Sequence, residues 1–114
     1  MSMNLLPNYE NAIISTEKLS GYCLNTSHAR GKDKAFLFQK VFGLNEYHAE
    51  ILKEQILDNL AMFSALQKEE NVYGKKYSVL MKISIFGKVG TIQTGWIIEK
   101  GTDFPRLTSC YVKN

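Results

Sequence analysis

The chain has 114 residues, 45% hydrophobic, 11% aromatic and 22% charged. That is enough for one hydrophobic core and too little for two, so residues 1–114 are read as a single domain. It excludes disordered, collagen-like and fibrous classes. The longest apolar runs, such as Leu60 to Phe63, fall far short of the ~20 residues of a membrane span. Met1 to Pro7 lacks a basic and apolar leader pattern. The expectation is a soluble, cytoplasmic protein with no membrane partner. Charge is uneven along the chain. Residues 1–74 carry seven Lys/Arg against nine Asp/Glu, net −2, and residues 75–114 carry seven against two, net +5. A basic segment of this kind can form an anion-binding surface, or can simply solvate the edge of a sheet.

In chain order, Ser15 or Thr16 caps a short helix that points Leu19, Tyr22 and Cys23 inward. A loop follows from Asn25 to Gly31. The next helix, from about Lys32 to Phe42, lines up Ala35, Phe38 and Phe42 and stops at Gly43. Asn45 then caps a third helix, in which Ala49, Leu52, Ile56, Leu60 and Phe63 recur every three or four residues. Residues 65–73 fit either a helix or an edge strand turning at Gly74. From Tyr77 to Ile85 apolar and polar residues alternate, the period of a strand with one buried face. Gly87-Lys88 suits a two-residue hairpin turn. That turn sets Ile83 opposite Ile92, Met81 opposite Thr94, Val79 opposite Trp96, Tyr77 opposite Ile98 and Lys76 opposite Glu99. A last strand runs from about Arg106 to Lys113. The fold class is therefore α+β, with about three N-terminal helices packed on one face of a three- to four-stranded antiparallel meander sheet. The other face presents Lys76, Ser78, Lys82, Ser84, Thr91, Gln93 and Glu99.

Candidate chemistry is concentrated in a few places. His28-Ala29-Arg30-Gly31-Lys32-Asp33-Lys34 runs into a helix start, where free amides and cations suit a phosphate and His28 can move protons; it reads equally as a solvated loop. Trp96 is read as core, and Gly95 either lets a ligand approach the backbone or marks a bulge. Arg106, Thr108, Ser109 and Tyr111 on the last strand can hold a phosphate or a base, and Lys82 is a cation on the polar sheet face. Cys23 and Cys110, 87 positions apart, are read as reduced, half-buried thiols. Two isolated histidines and no Cys or carboxylate cluster give no metal site, and no nucleotide-cofactor fingerprint is present, so no cofactor is expected.

Several segments together resemble an uncharacterised bacterial domain-of-unknown-function family over nearly the whole chain. These are Leu6-Pro7-Asn8-Tyr9-Glu10-Asn11-Ala12, the stretch from Lys18 to Asn25 with His28 and Gly31-Lys32-Asp33-Lys34-Ala35, Thr94-Gly95-Trp96-Ile97-Ile98, and Asp103-Phe104-Pro105-Arg106-Leu107-Thr108-Ser109-Cys110-Tyr111-Val112. The chain departs from that family's pattern at Ala29, where Pro is commoner, and at Ser109, where Thr is. The order of helices and meander is similar to the barnase–EndoU–colicin–RelE superfold of metal-independent ribonuclease toxins, which bind RNA on the sheet face away from the helices. The resemblance implies ribose 2′-OH attack on the adjacent phosphate, with His28 as acid or base and Lys34 or Arg106 stabilising charge. Arg30, Lys82, Thr94, Thr108 and Tyr111 would hold the substrate. A reading of a different class is a non-catalytic protein-binding module, an immunity- or antitoxin-like partner of a cognate protein. The two differ in whether His28 lies within reach of the basic face.

Overall fold

A computed structural model describes residues 4–27 and 32–113. Ser15 caps the first helix as expected, its hydroxyl accepting from the Lys18 amide. The helix is one α turn, α1 (Thr16–Lys18), which widens into a π-helical segment over Leu19–Cys23. Leu19 and Cys23 are buried, whereas Tyr22 faces outward. Helix α2 (Lys32–Phe42) buries the predicted stripe of Ala35, Phe38 and Phe42 and ends at Gly43 with φ 74°. Asn45 does start the third helix, through a capping box closed by His48. The first turn, Glu46–His48, is a 3₁₀ turn, and α3 proper spans Ala49–Asn59. No helix among the described residues is long and apolar enough to cross a membrane.

The ambiguous stretch is a strand. β1 (Ala65–Asn71) pairs with β2 (Gly74–Ile85), which pairs with β3 (Lys88–Glu99), which pairs with β4 (Arg106–Val112). All neighbours are antiparallel, in the order β1-β2-β3-β4. The β2–β3 register corrects the sequence expectation by two residues. Met81 lies opposite Ile92, Val79 opposite Thr94, Tyr77 opposite Trp96 and Lys76 opposite Ile97. The turn residues are Phe86 and Gly87, at φ 54° and 74°, in place of Gly87 and Lys88. Two left-handed residues in succession make the type I′ turn whose twist matches the strands. A slip of two keeps every side chain on its expected face. It does separate Lys76 from Glu99: Lys76 pairs with Glu69 at 3.3 Å, and Glu99 with Arg106 at 3.0 Å.

The helices cover the face formed by Val79, Met81, Ile83, Ile85, Ile92, Trp96, Leu107, Cys110 and Val112. Both cysteines are fully buried, a correction to the half-buried expectation. Burial pushes both thiols above their usual range, well above it for Cys110. The outer edge of β4 is covered in part by Ile13, which forms a parallel bridge with Arg106 and accepts the Leu107 amide at 3.0 Å.

Candidate nucleic-acid interface

Away from the helices the sheet is polar, and its centre is a shallow groove of about 230 Å³. The groove exists because of a bulge. β4 has one extra residue opposite β3: Gly95 lies across from Ser109 and Trp96 from Leu107, so Thr108 has no partner of its own. A side chain at Gly95 would collide with the Ser109 hydroxyl and press on Thr108 Oγ1 at 3.2 Å. Glycine therefore leaves exposed backbone as the floor. Lys68, Lys76 and Ser78 stand along one side, and Gln93, Thr108, Ser109 and Tyr111 along the other. At the margin, Lys34 of α2 holds its ammonium 4.6 Å from the centre of the Tyr111 ring, a cation–π contact.

The predicted site residues separate into four groups. Lys34 and Tyr111 meet, and Thr108 lines the same groove. Lys82 is exposed on this face, opposite Thr91, beyond the groove. Arg106 is also on this face, but its Nε donates to Glu99 Oε1 at 3.0 Å. It lies opposite Ile97 and Tyr111 opposite Gln93, four positions along β3, roughly 13 Å at 3.3 Å per residue. Lys34 and Arg106 thus do not converge on one phosphate. Thr94 is corrected from a substrate-binding residue to a core residue. It is fully buried, donates to the Val79 carbonyl at 2.8 Å and accepts from Trp96 Nε1 at 2.9 Å. His28 and Arg30 lie outside the described residues.

Sequence reasoning missed Lys68, because it sits in the stretch left between helix and strand. It is the unpaired residue of a β1 bulge between Gln67 and Glu69, and it lines the groove. Among the described residues Lys68, Lys82 and Lys113 have no acidic partner. Two larger clefts, of about 430 and 510 Å³, share Pro7 and Tyr77, and Tyr77 also borders the groove. The first mixes Glu70, Glu99 and Asp103 with Lys75 and Lys100, and neither holds a predicted site residue. Among the described residues no three His, Cys, Asp or Glu side chains are grouped to hold a metal ion.

Residues 5–114 match the model of the DUF6883 family, a domain of unknown function, and the chain belongs to that family. No curated protein and no solved structure matches it.

Proposed function

We propose that this protein binds RNA across the outer face of its sheet and cleaves it without a metal ion, in the manner of the ribonuclease toxins that its order of elements resembles. The groove over Gly95 carries the reading. It combines a backbone floor, three hydroxyls, two lysines and an aromatic ring backed by the Lys34 ammonium. Lysines and hydroxyls take phosphate, and an aromatic face takes an unpaired base. In the reaction the ribose 2′-oxygen attacks the adjacent phosphorus while the 5′-oxygen leaves. One group removes the 2′ proton, another protonates the leaving oxygen, and cations stabilise the crowded phosphorane. We assign proton transfer to His28, six residues before Lys34 in the chain, and charge stabilisation to Lys34. Arg106, with Arg30 and Lys82, takes flanking phosphates.

The test is RNA digestion in excess chelator with analysis for 2′,3′-cyclic phosphate ends. His28→Ala is expected to lose about 10²–10⁴-fold in rate with unchanged thermal stability. Activity that survives the substitution moves proton transfer to the Thr108–Tyr111 segment. RNA that stays intact but is retained by the protein leaves a binding domain. RNA neither cut nor bound favours the second reading, a module that docks a cognate protein. The exposure of Leu66 and Leu80, 60% and 47%, on this same face supports that alternative.

A further inference from the structure

The tip of the β2–β3 hairpin carries an aromatic cluster that neither the core nor the groove uses. The first central position of a type I′ turn favours Asn, Asp or Gly, yet Phe86 occupies it at φ 54°. The ring is not buried in exchange and remains 59% exposed. Its orientation is nonetheless set. It meets the His48 ring at 5.5 Å and 74°, an edge-to-face contact that uses at most one face of the phenyl group. His48 is itself fixed, since its Nδ1 accepts the Asn45 amide at 3.0 Å. Tyr47, in the same turn, is 86% exposed. Lys88, two residues after Phe86, brings its ammonium beside Gly43 at the end of α2.

An oriented ring with an exposed face, braced by the His48 ring, and a lysine two residues on in the chain match the chemistry of an unpaired base and its phosphate. We propose that Phe86, braced by His48, is a stacking platform for an unpaired base of single-stranded RNA, with Lys88 neutralising the adjoining phosphate. The proposal rests on the RNA reading of the outer face and deepens it by naming a single strand as the substrate. Ser78 at the groove and Ile85 at the turn are seven residues apart on β2, roughly 23 Å, so the platform serves strands long enough to span that distance.

The experiment measures affinity for a fluorescein-labelled 12-nucleotide 2′-O-methyl RNA, whose blocked 2′-oxygen prevents cleavage, and for the corresponding duplex, both at low salt. Phe86→Gly is the informative variant, because glycine suits the left-handed turn and preserves the hairpin. It is expected to weaken single-strand binding about 5- to 100-fold and leave duplex binding unchanged. Phe86→Trp is expected to retain affinity, with emission beyond that of Trp96 quenched as the single strand is added. Wild-type protein that binds neither RNA overturns the RNA reading itself. Wild-type binding that Phe86→Gly leaves within twofold overturns the platform alone and makes the tip a protein contact. Equal losses for single strand and duplex also overturn it, because stacking requires an unpaired base.

Discussion

Thr94 and Trp96 lie two positions apart on β3, and a single hydroxyl serves both the Trp96 indole N–H and the Val79 carbonyl. A buried donor left without its acceptor costs about 1–3 kcal/mol. Thr94→Val keeps the shape and removes the oxygen, so it is expected to lose about that much stability, seen as a lower urea midpoint. Thr94→Ser, which keeps the oxygen, should lose less; a Thr94→Val midpoint equal to the wild type's contradicts the assignment. The polar character of Thr94 marks it as a ligand-binding candidate in the sequence, and alternation marks it as inward-facing. Alternation is the better guide here, because the hydroxyl is fully used inside the core.

At the scale of elements, the bulge between β3 and β4 decides where a ligand can sit. Gly95→Ala would drive a methyl group into the hydroxyl of the exposed Ser109, which can relieve the contact by leaving its present rotamer, so a loss of about 0.5–1.5 kcal/mol is expected. Gly95→Ala/Ser109→Ala should recover most of that loss, since Ser109 Cβ stands at an ordinary 3.6 Å. A thermal-unfolding double-mutant cycle measures the coupling, and additive losses would refute the contact. The glycine is legible in the sequence as either a bulge or an opening to the backbone. Gly95 itself pairs with Ser109, and the extra residue of the bulge is Thr108 on β4, which only the pairing of the two strands shows. The hairpin illustrates a related limit. Alternation assigns each side chain to a face, but a two-residue slip preserves every face, so hydrophobic pattern alone cannot separate the two registers. The left-handed Phe86-Gly87 turn separates them.

Across the whole molecule, the +5 of residues 75–114 and the candidate groove share one sheet, and on that sheet Lys68 and Lys82 are among the described cations that have no acidic partner. Binding of a single-stranded RNA should therefore weaken steeply with salt, by about 0.7 in log affinity per log salt for each phosphate contact. Lys82→Ala is expected to lower that slope by about one such step and leave stability within roughly 0.5 kcal/mol. Filter binding between 50 and 200 mM salt, a range over which the effect is large, measures it. A slope indifferent to Lys82 removes that residue from the phosphate path. Lys76 and Arg106 should contribute less, because Glu69 and Glu99 already neutralise them.

The three helices, the three strands after residue 74, the buried stripes and the polar outer face are legible in the chain's local pattern. Each of these follows from a local period of 3.6 or 2 and a local cap. Tertiary structure decided what depends on residues distant in the chain. The stretch from Ala65 to Asn71 is a strand because β2 offers it an edge, which outweighs its own helix propensity. Lys34 reaches Tyr111 because α2 lies against β4, and Arg106 is separated from them by the length of a strand. Thr94 is withdrawn from any surface because a neighbouring indole needs its oxygen. A list of polar residues does not carry those distances; the packing of helix on sheet sets them.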